Sequence, residues 1–112
     1  MNGNPTKKQQ DFHKWSRSQP CLCCQNSVVE IHHIKGSKMR LKGCVKPGEW
    51  YILPLCFECH RGSSGVHANK RVFELYYAPQ KELWQAHIDA YSFHHGNRPM
   101  CYDVYQTIID RG

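Results

Sequence analysis

The amino-acid sequence predicts a small α+β domain that depends on a bound metal ion as well as on a hydrophobic core. A length of 112 residues suits one compact domain. The mean hydropathy of −0.67 indicates that burial alone would stabilise a chain of this size only weakly. Four of the seven cysteines form two C-x-x-C pairs, a spacing typical of metal ligands.

The first segment is predicted to be a helix over about 5–18. Asn4 is a suitable N-cap and Pro5 suits the first helical position. Phe12 and Trp15 are three residues apart and fall on one face of such a helix, where they can contact the core.

Two short strands are predicted around the cysteine pairs. The β-branched run 28–31 leads into His32 and His33, which therefore lie at the end of the first strand. The second strand covers 50–55, with Pro54 indicating an edge position or the strand end.

Three helices are predicted in the C-terminal half, over 68–77, 80–91 and 102–109. The apolar period gives five expected core positions in the first two of them: Val72, Leu75, Leu83, Trp84 and Ile88.

The two C-x-x-C pairs are predicted to hold one structural Zn²⁺. Structural zinc takes four ligands at tetrahedral corners, and each such turn supplies two thiolates. Disulfides are the alternative, but the first residues lack the apolar stretch of a secretory signal, which favours a reducing compartment. Cys23 is a poorer ligand candidate because its neighbour Cys24 leaves unfavourable geometry. The four expected ligands are Cys21, Cys24, Cys56 and Cys59.

Basic residues are concentrated in one segment of a chain whose net charge is +6. Such a surplus can serve solubility alone. However, five positive charges occur between Lys35 and Lys46 with no acidic residue before Glu49, and this clustering favours phosphate contacts and hence DNA as a partner. Glycines and prolines predict a long loop over 35–49. The expected nucleic-acid contacts are Lys35, Lys38, Arg40, Lys42 and Lys46.

Four of the eight histidines lie beside the cysteine pairs or the basic segment. Successive side chains of a strand point to opposite faces, so His32 and His33 cannot perform the same task. One of them can bind a metal while the other contacts a substrate. The alternative is chance adjacency, with His60 merely following a cysteine ligand.

In their order, these residues resemble the HNH, or His-Me finger, endonucleases, whose ββα-metal site is often built on a four-cysteine zinc scaffold. The match comprises P-C-x-x-C at 20–24, E-x-H-H-I at 30–34, P-L-C-x-x-C-H at 54–60, and then His67. The E-W-Y-I-L-P-L-C run and the lead-in from Phe12 look like phage-encoded HNH proteins of the recombination-enhancement, or Ref-like, kind.

The resemblance implies a treble-clef-like HNH core with flanking helices in a single nuclease domain. We divide the chain into an N-terminal helix at 1–19, the zinc and HNH core at 20–73, and C-terminal helices at 74–112.

The resemblance also implies a role for each histidine. His33 is the general base that deprotonates water, while His32 and His60 bind a catalytic divalent ion, Mg²⁺, Mn²⁺ or Zn²⁺. His67 either closes around that ion or contacts phosphate, because the glycines of 62–65 interrupt any continuous helix. Independently of the family, an imidazole can activate water near neutral pH, and one metal ion can neutralise charge in the transition state.

The sequence departs from the HNH pattern at its middle asparagine. No asparagine occurs between Ile34 and Cys59, and Trp50 or Tyr51 stands near the expected position. In the family this asparagine braces the loop that carries the base, a role that Glu49 or a backbone group can take.

We therefore expect a metal-dependent DNA endonuclease, phage- or prophage-encoded and linked to recombination or DNA processing. The alternative is a catalytically inactive zinc module that binds DNA or a recombination or replication protein. The missing asparagine favours the alternative, and the complete histidine set opposes it. No apolar run approaches the roughly 18 residues of a membrane span, so we expect a cytoplasmic protein without membrane contact.

Overall fold

The computed structural model describes residues 5–34 and 46–112. The elements in chain order are helix α1 (Lys7–Arg17), strand β1 (Glu30–His33), a 3-10 helix (Pro47–Trp50), strand β2 (Ile52–Leu55), and helices α2 (Phe57–Arg61), α3 (Lys70–Tyr76), α4 (Gln80–His95) and α5 (Tyr102–Arg111). These elements confirm the predicted α+β class. Among the helices of the described ranges, none has the length and apolar character needed to cross a membrane.

Helix α1 begins two residues later than the sequence predicted. Thr6 is the N-cap, and its side chain accepts a hydrogen bond from the backbone of Gln9 while the Gln9 side chain accepts one from Thr6. This reciprocal capping box satisfies two backbone donors at the helix start. Pro5 therefore precedes the helix instead of opening it, and Asn4 lies outside the described residues.

The sheet consists of β1 and β2, which pair antiparallel with Glu30 opposite Leu55 and His33 opposite Ile52. Both strands are shorter than predicted. β1 begins at Glu30 instead of Val28, and β2 begins at Ile52 because Trp50 ends the 3-10 helix instead of opening a strand. Every residue of β2 is buried. Each strand of a two-stranded sheet is an edge, which is the position expected for a strand that contains Pro54.

Aromatic side chains fill the core between α1, the 3-10 helix and α4. The ring of Phe12 lies 5.6 Å from that of Trp50 and 5.7 Å from that of Tyr91. The buried indole N–H of Trp84 donates to the backbone carbonyl of Trp50 over 2.7 Å. This bond ties α4 to the residues just before β2, and the predicted core position Trp84 is confirmed.

Helix α3 contributes less to the core than its apolar period predicted. Phe73 is its one buried residue, whereas Val72 and Leu75 are 45% and 79% exposed. The prediction of these two as core residues is therefore wrong. In a seven-residue helix a single inward position suffices to anchor the element, and the neighbouring apolar residues face outward.

A buried histidine joins α4 to α1. His87 Nε2 and Ser16 Oγ lie 2.8 Å apart, and both residues are buried. Burial lowers the pKa of His87 to about 4. The folded protein therefore holds this imidazole in its neutral form at a pH where the unfolded chain already binds a proton.

The free energy of unfolding should consequently decrease as the pH is lowered, because His87 gains a proton when the chain unfolds. The pKa of His87 in the folded protein lies below its unfolded value of about 6.5. The contribution of the neutral imidazole to stability is therefore complete above pH 6.5 and is lost as the pH falls towards 4. The loss of stability by pH 4.5 amounts to roughly 2.5 kcal/mol. His87→Gln keeps a partner for Ser16, so it should flatten this dependence in denaturant titrations from pH 7 to 4.5. His94→Gln, an exposed control on the same helix, should retain the full slope; equal slopes for the parent and His87→Gln would contradict the assignment.

Candidate functional site

Four cysteine sulfurs converge at one point of the described structure. The Sγ atoms of Cys21, Cys24, Cys56 and Cys59 all lie within 4.8 Å of one another. Four thiolates about 2.3 Å from a zinc ion would be separated by roughly 3.8 Å, so these distances suit a four-cysteine metal site. Three of the residues are buried and Cys24 is exposed. This set could hold one structural metal ion.

The local backbone orients these sulfurs. Cys56 caps α2 and its sulfur accepts a hydrogen bond from the backbone N–H of Cys59. Cys21 accepts one from the backbone N–H of Cys23 over 3.4 Å. A further hydrogen bond from the Cys23 side chain lowers the pKa of Cys21, whereas burial raises the pKa of Cys59. Cys23 thus lies outside the four-sulfur cluster and supports one of its members.

Three histidines form a second cluster, comprising His32 of β1, His60 of α2 and His67. One ring nitrogen from each lies within 4.8 Å of the others. The Nε2 atoms of His60 and His67 are 2.8 Å apart, and the ring centroids of His32 and His67 are 5.0 Å apart. The structure therefore brings together the two predicted ligands and the histidine whose role the sequence left open.

A tight loop places His67 in this cluster. A Cβ on Gly65 would lie 2.7 Å from the carbonyl oxygen of Glu58, and one on Gly62 would lie 2.6 Å from the same atom. Only glycine allows this close return over the end of α2. The loop is then fixed by a hydrogen bond of 3.2 Å from the backbone N–H of His67 to the carbonyl of His60.

Hydrogen bonds orient two of the imidazoles. His60 donates from Nδ1 to the carboxylate of Glu30, which also accepts a hydrogen bond of 2.8 Å from Arg61. His32 donates from Nε2 to the amide oxygen of Gln80 over 2.7 Å. Since these nitrogens carry protons, His60 Nε2 and His32 Nδ1 carry the lone pairs that a metal would accept.

The orientation of the Gln80 amide is itself fixed. Its nitrogen donates to the carboxylate of Glu74 over 3.3 Å, and its backbone N–H donates to the same oxygen over 3.1 Å. The amide oxygen is thereby turned towards His32. His32 Nδ1 is buried without a hydrogen-bond partner in the described part of the chain.

Burial keeps these imidazoles neutral. Desolvation lowers the pKa of His32 to about 4. Desolvation also lowers the pKa of His60, although the Glu30 carboxylate opposes that effect. A neutral imidazole is the form that binds metal, so at neutral pH His32 and His60 present lone pairs instead of positive charges.

His33 lies in a different environment, as the alternation of a strand requires. Its side chain is 45% exposed, and its Nε2 donates to Glu49 Oε1 over 2.9 Å. His13 of α1 approaches the same residue, with its Nε2 2.7 Å from the Glu49 backbone carbonyl and 3.5 Å from Oε1. Glu49 therefore joins α1 to the end of β1.

Sequence reasoning identified His32, His33, His60 and His67 and named Glu49 as a candidate to brace the base, but it missed the other residues that orient these histidines. Glu30 was visible as part of the E-x-H-H motif, although nothing local indicated its contact with His60. His13 and Gln80 carried no signal, because each reaches the site from a distant part of the chain.

The basic segment is only partly covered by the structure. Lys35, Lys38, Arg40 and Lys42 lie outside the described residues. Lys46 is exposed, and its backbone carbonyl accepts a hydrogen bond of 3.0 Å from the Gln9 side chain.

Comparison with known proteins places the chain in a family. Residues 4–96 match the family described as "Protein of unknown function (DUF968)". The "Uncharacterized protein YdfU" of Escherichia coli (strain K12) is 32% identical over 78 residues, which cover 70% of this chain and 21% of that protein. The chain thus spans about a fifth of the length of this curated relative. No solved structure matches the present chain. Because the family match covers most of its length, the chain belongs to the DUF968 family.

Proposed function

We propose that this chain is a metal-dependent DNA endonuclease of the HNH type with a treble-clef-like ββα-metal core. The observation that carries the proposal is the three-histidine cluster beside the four cysteines, in which His32 Nδ1 is buried and lacks a partner among the described residues. An unsatisfied buried polar group costs about 1–3 kcal/mol. Coordination of a divalent ion would satisfy this nitrogen together with those of His60 and His67.

The donor set fits a catalytic metal better than a structural one. Catalytic sites commonly use three protein ligands and keep a position open, whereas structural sites are closed by four. A divalent ion held by His32, His60 and His67 would stabilise negative charge on the phosphate and on the leaving oxygen. Glu30 and Gln80 hold two of the ligating rings in the required tautomer and orientation.

His33 is the proposed general base. Its Nε2–H is directed to Glu49, so Nδ1 carries the lone pair that can accept a proton from water. Its exposure allows water and a phosphodiester to reach it. In this proposal Glu49 braces the base in place of the asparagine that this sequence lacks.

The four cysteines are proposed to hold a structural Zn²⁺ that fixes the elements carrying the histidine cluster. Cys59 directly precedes His60, and β2 runs directly into Cys56. Fixing these sulfurs therefore fixes the relation between α2 and the strand that carries His32. The basic segment is proposed to contact DNA phosphates, and the exposed Arg61, Lys70 and Arg71 are further candidates for such contacts.

Loss of the base should abolish catalysis without loss of binding. The parent protein should nick supercoiled plasmid or cut single-stranded DNA with Mg²⁺ or Mn²⁺, and EDTA should stop it. His33→Ala should lower the rate roughly 10² to 10⁴-fold, because a general base acts on the transition state. His94→Ala, an exposed control, should cut as the parent does.

Two results of this assay would count against the proposal in different ways. If His33→Ala cut as fast as the parent, His33 would not be the base. If the parent bound DNA but never cut with any metal, the chain would be a DNA-binding zinc module instead of a nuclease.

The carboxylate behind His60 should strengthen metal binding. Glu30→Gln keeps a hydrogen-bond acceptor but removes the charge, so affinity of the histidine cluster for Mn²⁺ should fall about 10-fold or more. Calorimetric titration of protein with its cysteine site filled measures this directly. Glu82→Gln, exposed on α4, is the matched control. An affinity unchanged by Glu30→Gln would mean that Glu30 does not support a metal ligand.

Removal of one cysteine ligand should unfold the domain. Metal binding in small zinc domains contributes roughly 10 to 16 kcal/mol, which is comparable to or larger than the whole stability expected of a domain of this size. Cys56→Ser should therefore lose zinc and show an unfolded circular dichroism spectrum. Cys101→Ser, at the exposed N-cap of α5, should keep both. Stoichiometric zinc in a folded Cys56→Ser protein would contradict the assignment.

A further inference from the structure

A second group of metal-binding side chains lies around His33, separate from the three-histidine cluster. It consists of His13 from α1, His33 from β1 and Glu49 from the 3-10 helix. One ligand atom from each lies within 4.8 Å of the others. The group therefore assembles two imidazoles and one carboxylate from three different elements.

The distances in this group suit coordination as well as hydrogen bonding. His33 Nε2 lies 2.9 Å and His13 Nε2 lies 3.5 Å from Glu49 Oε1. Ligands about 2.1 Å from a metal are separated by roughly 3.0 Å at octahedral angles and 3.4 Å at tetrahedral angles. These two separations are close to those values.

We propose that His13, His33 and Glu49 form a second site for a divalent transition-metal ion such as Zn²⁺. Imidazole and carboxylate together suit ions of this kind, and three protein ligands leave positions for water. In the metal-free group, the Nε2–H groups of His33 and His13 are directed to Glu49. Coordination through Nε2 requires the other neutral tautomer, so in each ring the proton moves to Nδ1 by exchange with solvent when the metal binds.

The site is weaker than the three-histidine cluster. The His13 and Glu49 side chains are 11% and 21% exposed, but that of His33 is 45% exposed, so water competes for it. The metal-free group is also already satisfied by hydrogen bonds, whereas His32 in the other cluster is not. This site therefore fills only after the four-cysteine site and the three-histidine cluster.

Occupation of this site removes His33 as a base. When the lone pair of Nε2 binds the metal, the ring proton lies on Nδ1, so His33 has no free lone pair to accept a proton from water. Excess zinc should then inhibit cleavage. This consequence rests on the proposed nuclease function, whereas the metal site itself does not.

Equilibrium dialysis against rising free Zn²⁺, with zinc counted per chain by mass spectrometry, tests the site without any cleavage assay. The parent should bind a third equivalent after two tighter ones. His13→Gln, which can still donate to the Glu49 carbonyl, and Glu49→Gln should each lose that third equivalent and keep the first two. His94→Gln should bind three, as the parent does.

Nuclear magnetic resonance of ¹⁵N-histidine parent protein gives a second measurement that does not depend on the folding of any variant. The ring nitrogens of His13 and His33 should shift together as the third equivalent binds. The site is overturned if the parent, His13→Gln and Glu49→Gln proteins all bind the same number of equivalents, or if the His13 and His33 resonances of the parent respond to none of them. If the parent never cuts DNA but the third equivalent is present, the nuclease proposal fails and this site stands.

Discussion

The convergence of two C-x-x-C turns is the constraint on which the rest of the structure depends. The four sulfurs lie within 4.8 Å of one another and would repel as thiolates, so the set could hold a structural metal ion that offsets this repulsion. Their placement fixes the start of α2 against the loop before β1. Because His60 follows Cys59 and His32 lies on β1, the distance between these histidines is set by the same constraint.

Burial then gives the two neighbouring histidines of β1 different chemistry. His32 faces the interior, where desolvation lowers its pKa to about 4 and Gln80 fixes its tautomer. His33 faces outward and pairs with Glu49. A single position along the strand thus separates a buried lone pair suited to a metal from an exposed imidazole that can meet water.

Much of this arrangement could be predicted from sequence, because it is encoded at short range. The C-x-x-C spacing identified the sulfur cluster, the alternation of a strand separated His32 from His33, and the apolar period located Trp84 on α4. The outward orientation of Leu75 could not be predicted, because α3 is short and the face that it buries depends on what packs against Phe73. The period of a helix indicates which residues share a face, but it does not say whether that face meets a neighbour.

The residues that orient the site lay beyond prediction for a related reason. Gln80 reaches His32 across 48 positions of sequence, and His13 reaches Glu49 across 36. Neither contact has a local pattern, since each depends on how α1 and α4 pack against the sheet. The aromatic core formed by Phe12, Trp50 and Trp84 therefore does more than stabilise the chain. By holding both helices against the strands, it sets which partner each histidine of β1 receives, and so which chemistry each can perform.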